Sequence, residues 1–464
     1  MIPRLHDPAL GEGAALGLLA ARAYRLPAEL SPVQAVDFAE RIARCARTLI
    51  ERGSSAEAPA RVFAVPGRIE VLGKHTDYAG GRSLLAAVER GFVLVAVARP
   101  DERVRISALD AGGTADFGLS AGLTPSPGWR NYPMTVARRL ARDFPGLATG
   151  ADVALHSDLP AASGMSSSSA LVVGTFLCLA SAHGFADHFR FRAEVRDADD
   201  LASYLAAVES GQGFGGLAGD AGVGTHGGSE DHTAILRAEA GRLLQYRFVP
   251  ATLERVVALP AGYRFAVASS GVAAEKTGAM KERYNRASAL VRALREIWLE
   301  AGGEEAPSLA AAMRSSLEAP DRLRRAVRAA PGAVFPVEDL LARLDHLLAE
   351  SELIVPAAVN ALVAGDLAGF GARVDESQRQ AETLLGNQVP ETIELARSAR
   401  ALGAAAASAF GAGYGGSVWA LVAETEMEPF LGAWRKAYAA RFPAAAAASA
   451  FFSSGAGAGA QRLA

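Results

Sequence analysis

Cysteine is nearly absent from this 464-residue chain: Cys45 and Cys178 stand far apart, outside any CxxC or Cys/His spacing. That excludes a disulfide framework, argues against a zinc site and fits a reducing, cytoplasmic compartment. An excess of charge of either sign is also missing. The 47 basic and 50 acidic residues are interspersed and leave a formal charge of −3, so neither nucleic acid nor a membrane is expected as a partner. No stretch reaches the roughly 18 uninterrupted apolar residues of a membrane span. The short apolar run at residues 14–21 follows Asp7 and Glu12 and reads as a helix rather than a signal. A Walker-type Gly-Lys-Ser/Thr is lacking as well. What is present is half hydrophobic, with 48 Gly and 22 Pro. This is the composition of a globular protein of two domains or three that handles a small molecule, as a monomer or weak homo-oligomer.

Residues 1–60 read as an N-terminal helical extension, ending in Gly53-Ser54-Ser55. Strand-like runs follow at 62–65, 83–88, 92–98 and 104–107, with Gly- or Pro-bearing breaks, as in a mixed sheet. Residues 132–144 carry Val136, Leu140 and Phe144 on one face of a helix, with Arg138, Arg139 and Arg142 elsewhere as solvated charges. After a strand at 152–156, residues 170–182 are apolar nearly all round, as in a helix buried inside its domain. A first domain is expected over 61–260 and a second over 261–464. The second opens with a strand at 265–268 and two periodic helices, 289–301 closed by Gly302 and 337–349. It continues with a helix at 391–402, a strand at 418–422, a further helix and a last strand around Phe451-Phe452.

Four segments carry chemistry. Pro160-Ala161-Ala162-Ser163-Gly164-Met165-Ser166-Ser167-Ser168-Ser169-Ala170 lies directly before the buried helix. Small residues there let backbone N–H groups approach phosphate oxygens, at a helix end that favours anions; capping of the helix by serine is the plain alternative. In Val65-Pro66-Gly67-Arg68-Ile69-Glu70-Val71-Leu72-Gly73-Lys74-His75-Thr76-Asp77-Tyr78, Arg68 offers a cationic fork and Asp77 a carboxylate suited to vicinal hydroxyls. Gly227-Gly228-Ser229-Glu230-Asp231-His232 holds a candidate base, Asp231, which could equally cap a helix. Phe410-Gly411-Ala412-Gly413-Tyr414-Gly415-Gly416-Ser417 precedes a strand rather than a helix, which excludes a dinucleotide fingerprint.

The first segment resembles the Pro-x-x-x-Gly-Leu-Ser-Ser-Ser-Ala motif of the GHMP kinases, the second the galactokinase signature Pro-Gly-Arg-x-Asn-x-x-Gly-Glu-His-x-Asp-Tyr. The third is similar to the galactokinase Gly-Ile-Met-Asp-Gln segment and the fourth to the third GHMP motif. The order of the family is kept from about residue 61 onward. The resemblance implies an α+β fold with a ribosomal-S5-like N-terminal domain and a ferredoxin-like C-terminal domain, and an ATP-dependent sugar 1-kinase using Mg2+. It assigns Arg68 and Asp231 to catalysis and Lys74, His75, Asp77 and Tyr284 to the sugar. Trp129 and Tyr132, within a Trp-x-Asn-Tyr-like element, fall to the adenine, and Gly164, Ser166, Ser167 and Ser168 to the ATP phosphates. Ser168 and Glu209 fall to the metal. The glycine-rich 211–228 stretch between the last two motifs is longer than the family pattern and reads as a flexible lid or a long loop.

Two departures stand inside the galactokinase signature: Glu70 replaces Asn, and Lys74 replaces the Glu that meets the outermost sugar hydroxyl. An ammonium could pair with the carboxylate of a uronic acid, making galacturonate an alternative substrate to galactose; or Glu70 and Lys74 pair with each other and a neutral hexose is retained. A non-catalytic, galactokinase-like sugar sensor is a further alternative. A kinase of a non-sugar alcohol such as mevalonate or homoserine is disfavoured by the Gly-x-His-Thr-Asp-Tyr segment.

Overall fold

The structure is a computed structural model describing residues 32–273, 278–330 and 334–463; the helix expected at 14–21 lies outside them. Eight strands form one sheet: β1 (Ala60–Leu72), β2 (Arg82–Arg99), β3 (Arg103–Ala108), β4 (Thr114–Gly118), β5 (Gly150–Ser157), β6 (Arg242–Arg247), β7 (Thr252–Ala258) and, from the far end of the chain, β12 (Gln461–Arg462). The main path runs β12-β1-β2-β5-β3-β4, with β6 and β7 continuing from the first part of β2. The mixed sheet expected from the sequence is observed, since β3 and β5 are parallel and the other pairs antiparallel. The runs at 83–88 and 92–98 prove to be one strand. Pro66 pairs with Gly91 and Arg68 with Ala87, so Glu89 and Arg90 sit in a bulge that bends β2 without ending it.

One face of this sheet is covered by α1 (Pro32–Glu51), whose Ile42, Cys45 and Leu49 pack on Val62, Val93 and Val95. The other face carries α2 (Asn131–Asp143), α3 (Ser167–His183), α4 (Ala198–Ser210) and α5 (Glu230–Arg237). The apolar sequence of α3 is explained by its central place: Leu171, Val172, Phe176 and Leu179 are buried in the main core with Phe63, Leu94 and Leu155.

A helical cluster follows, built on α6 (Gly278–Glu300) and α7 (Val337–Leu348) around Leu294, Trp298 and Leu344. The helix expected to stop at 349 continues through a π-helical turn (Ala349–Ile354) into α8 (Val355–Val363). The widened turn accommodates Pro356, which has no N–H to give. The whole run is the one candidate among the described residues long and apolar enough to cross a membrane. It buries Arg343, His346 and Glu350, however, and is packed as a core element.

After α9 (Leu367–Gln380) and α10 (Pro390–Ala401), strands β8 (Tyr263–Ser269), β9 (Ala406–Phe410), β10 (Ser417–Ala423) and β11 (Ala450–Ser454) complete a second, antiparallel sheet in the order β11-β8-β10-β9. Helices α10 and α11 (Met427–Arg441) cover one of its faces. On the other, Phe265, Val267, Trp419 and Leu421 share a core with Ile354 and Val355, and with Ile69, Val71 and Leu84 of the first sheet. The two halves are joined by a continuous apolar layer, and the cavity described next opens beside it.

One expectation is corrected, and of the two readings of the glycine-rich stretch the long loop is the one observed. Arg138 and Arg139 are buried rather than solvated. Arg138 binds Asp220 at 2.8 Å, Arg139 donates to Gln212 O at 2.9 Å and to Asp143 at 2.6 Å, and Arg142 donates to Gly219 O. These arginines pin the glycine-rich stretch, which folds on itself through Asp220 N to Gly211 O and Val223 N to Glu209 O, both 2.8 Å. It is a fastened loop, because its carbonyls supply the acceptors that buried guanidinium groups require.

Candidate active site

The loop at 160–169 links β5 to α3. Ala162, Gly164 and Ser166 all adopt left-handed backbone conformations, with φ of 48°, 74° and 56°, and Ser167 to Ser169 occupy the first turn of α3. Such alternation curls the chain into a concave run of N–H donors at a helix N-terminus, a ready anion cradle. The loop is held from both halves of the molecule. Met165 O accepts from Arg68 N at 3.2 Å, Ser163 O accepts from Ser417 Oγ at 2.7 Å, and Met165 itself enters the shared core. Where the loop meets the β9–β10 turn, a Cβ on Gly411 would lie 2.8 Å from Gly164 O, so this contact needs glycine. Trp129 and Tyr132 flank the cradle. The Tyr132 hydroxyl bonds Ser168, while burial and then Glu209 push its phenol up to about 12.

Arg68 on β1 and Asp231 in the first turn of α5 meet across this loop. Arg68 Nε and Nη2 each lie 2.7 Å from Asp231 Oδ1, and Nη1 donates to Gly164 O at 2.6 Å. Burial alone would weaken the guanidinium charge, but Asp231, Glu70 and Glu230 outweigh it and hold its pKa above the usual value. The second oxygen of Asp231 is 3.4 Å from Ser169 Oγ. A carboxylate in this arrangement can take a hydroxyl proton beside a cation that steadies negative charge.

Beyond this pair, the β1–β2 turn presents His75, Asp77 and Tyr78. His75 has a left-handed φ of 57°. Its Nε2 lies 3.0 Å from Ala412 O, which can only accept, so Nε2 carries the proton and Nδ1 accepts from Tyr78 Oη at 3.0 Å. Arg343, on α7, donates to His75 O at 2.5 Å and reaches Tyr78 Oη at 3.3 Å, securing the turn from behind. Asp77 Oδ2 accepts from Glu230 N at 3.1 Å, and burial raises its carboxyl above the ordinary range. A Cβ on Gly228 would stand 2.5 Å from that same oxygen, so the approach of the two loops requires glycine. Tyr284 of α6 packs against His75 with ring centroids 5.6 Å apart. Burial, reinforced by Asp231 and Asp77, pushes its phenol well up and keeps it neutral. The cradle, the Arg68–Asp231 pair, His75, Asp77, Tyr78 and Tyr284 line one cavity of about 750 Å³, a size suited to a nucleotide with a small acceptor.

Comparisons with known proteins agree with this geometry. Residues 52–99 match the galactokinase galactose-binding signature, 131–228 the GHMP kinase N-terminal domain and 358–440 the GHMP kinase C-terminal domain. A galactokinase of Chloroflexus aurantiacus is 31% identical over 395 residues, which span 82% of this chain and 89% of that one. The chain belongs to the galactokinase family. It is accordingly an ATP-dependent sugar kinase. The galactokinase of Halalkalibacterium halodurans is 27% identical over 390 residues, covering 82% of this chain and 87% of that one. In fold, the chain matches the Lactococcus lactis galactokinase, crystallised with galactose, at a TM-score of 0.70 and 22% identity over 87% of this chain and 95% of that one. It matches a mevalonate kinase at 0.51 and 13% over 87% and 99%. The two-domain GHMP architecture expected from the sequence is thus the fold of the family.

Of the residues singled out by the family motifs, all but Lys74 border the cavity: Arg68, His75, Asp77, Tyr284 and Asp231, Trp129 and Tyr132, Gly164 with Ser166, Ser167 and Ser168, and Glu209. Lys74 requires a correction. Its fully buried ammonium donates to Ser377 Oγ at 3.1 Å and Ser408 Oγ at 2.8 Å, in the second half of the molecule. The preceding residue explains the direction, since Gly73 N and Ser377 Oγ both donate to Glu350 Oε1, at 2.7 and 2.9 Å, and draw the segment toward α9. Nor does Lys74 pair directly with Glu70, since no ion pair within 4 Å joins them among the described residues. Glu70 instead faces the cavity beside Glu230. Glu209 lies 3.1 Å from His232 Nε2. Glu230 and Arg343 are not legible from sequence as functional residues. A glutamate opening a helix and an arginine in an amphipathic one carry no local signal.

Proposed function

We propose that the chain transfers the γ-phosphoryl group of ATP to the anomeric hydroxyl of galactose. The observation that carries this reading is the Arg68–Asp231 pair, set between the serine-rich cradle at the N-terminus of α3 and the Asp77–Tyr284 side of the same cavity. In the proposed step the sugar hydroxyl, positioned by Asp77 and the neutral Tyr284, passes its proton to Asp231 as its oxygen attacks the γ-phosphorus. The bond to the β–γ bridging oxygen breaks, and ADP carries away its electrons. Arg68 steadies the charge spreading over the transferred group, while Trp129 and Tyr132 border the base and Gly164, Ser166 and Ser167 the phosphates. His75 holds the turn through its bond to Ala412 O.

Ser168 and Glu209 are hard oxygen donors on the same cavity wall, which suits Mg2+, an ion that completes its shell with water and phosphate oxygens. Bound there, the ion would neutralise phosphate charge. Among the described residues no group of three or more His, Cys, Asp or Glu side chains could hold a metal ion, so the reading rests on Ser168 and Glu209 together with the phosphate oxygens. The retained Arg68–Asp231 pair argues against a purely regulatory sensor. A cytoplasmic location belongs to the same reading, supported by the two buried free thiols; burial pushes that of Cys45 up to about 12. ATP consumption with a panel of sugars, followed by identification of the phosphorylated position, tests the proposal. The expected product is galactose 1-phosphate, and phosphorylation at another position or of a non-sugar alcohol would refute it.

A further inference from the structure

The β1–β2 turn carries His75, Asp77 and Tyr78 into the cavity, and both of its legs are fastened from behind by one short stretch of the second half. Gly73 N, where the chain leaves β1, donates to Glu350 Oε1 at 2.7 Å, and Arg82 N, where it enters β2, donates to Ser351 Oγ at 3.1 Å. Arg82 Nη1 also donates to Glu352 Oε2 at 2.6 Å, and Ser351 Oγ donates to Glu352 Oε1 at 2.7 Å. Glu350, Ser351 and Glu352 lie in the π turn (Ala349–Ile354) between α7 and α8. A π turn closes its hydrogen bonds one residue later than an α-helix, so successive side chains diverge by less and three in a row can meet one neighbour. The β1–β2 turn they hold is braced as a unit, because Thr76 Oγ1 lies 2.8 Å from both Gly73 O and Arg82 O and ties the legs to each other.

Lys74 fixes this seat to the rest of the second half. Ser377 gives its proton to Glu350 Oε1 at 2.9 Å and Ser408 gives its own to Gln378 Oε1 at 3.1 Å, so both hydroxyl oxygens are left to accept, and the Lys74 ammonium donates to both. Glu350, Ser351, Lys74, Ser377 and Ser408 are fully buried, behind the cavity wall rather than on it. Ser408 belongs to β9. Just beyond it, the Phe410 ring lies 5.9 Å from the Arg68 guanidinium, Gly411 packs against Gly164 O of the phosphate cradle, and Ala412 O accepts from His75 Nε2. One connected set of contacts therefore runs from the sugar turn to the cradle.

We propose that the π turn is the seat of the sugar subsite: Glu350 and Ser351, locked by Lys74, are positioning residues that set Asp77 and His75, and with them the sugar hydroxyl, at the distance from the phosphate cradle that transfer requires. This rests on the sugar-kinase reading above. Phosphoryl transfer depends almost entirely on positioning and electrostatics, and a misplacement of about 1 Å between reacting groups costs about 10²-fold in rate. Two backbone N–H groups held by buried side-chain oxygens resist such a shift, since moving the turn leaves them unpaired away from water. Position 74 then acts on every sugar alike, because it touches none.

The test is steady-state kinetics and sugar binding on the full chain and on Lys74→Met, Glu350→Met, Glu350→Gln and Ser351→Ala. Lys74→Met and Glu350→Met each remove the polar end of a long side chain, and each should lower kcat/KM for galactose about 10²-fold with the KM for ATP changed less than about twofold. Glu350→Gln keeps an acceptor oxygen for Gly73 N and should recover about tenfold of that loss or more. In Lys74→Met the dissociation constants of galactose and 6-deoxygalactose should rise by the same factor, to within about twofold. A rise confined to galactose overturns the inference, because Lys74 would then read the outermost hydroxyl directly. Natural kcat/KM in both methionine variants overturns it as well, as does a Glu350→Gln variant no better than Glu350→Met. If a methionine variant is poorly folded, as judged by its thermal midpoint, Ser351→Ala takes its place, and an unchanged kcat/KM there overturns the seat. All of these results leave the sugar-kinase reading standing. No turnover of any sugar by the natural chain overturns both.

Discussion

At its phosphate end the cavity presents backbone, with Ala162, Gly164 and Ser166 curled ahead of α3, whereas at its sugar end it presents buried charge from Arg68, Glu70, Asp77, Glu230 and Asp231. The two materials have different dependences. A cradle of N–H groups is made by consecutive residues and needs only small side chains and a helix to follow. A cluster of buried charges works only if partners distant in the chain arrive with the right sign and geometry. Here they come from β1, the β1–β2 turn, α5, α6 and α7. The phosphate end is therefore expected to depend on distant residues only through the few that hold its loop, Arg68, Gly411 and Ser417, and the sugar end to be the more sensitive of the two.

Substitutions can break or sharpen that contrast. The largest effect is expected for Asp231→Asn, which removes the proton acceptor and should lower kcat by about 10³-fold with the ATP dissociation constant changed less than about twofold; normal turnover would refute the assignment. Gly228→Ala comes next. Its new methyl would press on Asp77 Oδ2, and a displacement of about 1 Å there should raise the galactose KM by as much as 10²-fold. If ATP affinity fell equally, the two ends would not be separable. Ser168→Ala probes the other end, where an expected tenfold rise in the KM for ATP·Mg with an unchanged galactose KM would show that side chains contribute modestly to a backbone-built site. The smallest change in turnover, within about threefold, is expected for Arg138→Met. There the cost falls on stability, about 3 kcal/mol in urea unfolding, because Asp220 loses its buried partner.

The same contrast governs which features the amino-acid sequence makes legible. The serine loop, the buried helix behind it and the Arg68 and Asp231 motifs are legible because each is a local pattern with a local physical reason. Lys74 is not, because the direction of its side chain is set by Ser377 and Ser408, about three hundred residues onward. Arg138 and Arg139 look solvated in sequence because Asp220 and the carbonyls of Gln212 and Gly222 that help to hold them belong to a loop whose composition announces only flexibility. The union of two expected strands into β2 and the continuation of α7 into α8 both depend on local irregularities, a bulge and a π turn, that hydrophobic period does not reveal.

The anchoring of Lys74 also bears on how such a chain can change by mutation. Gly73, Lys74, Glu350, Ser377 and Ser408 form a single hydrogen-bonded chain across the two halves. Placing Glu at position 74 alone would bring a second carboxylate to Glu350 and leave the oxygens of both serines, whose protons already go to Glu350 and Gln378, without the donor that Lys74 supplies. Such a reversal should be harmful by itself and harmless only beside compensating changes at 350, 377 and 408, so an exchange at the sugar signature is gated by residues that never meet the sugar. Double-mutant cycles between Lys74 and Glu350 should show strong non-additivity.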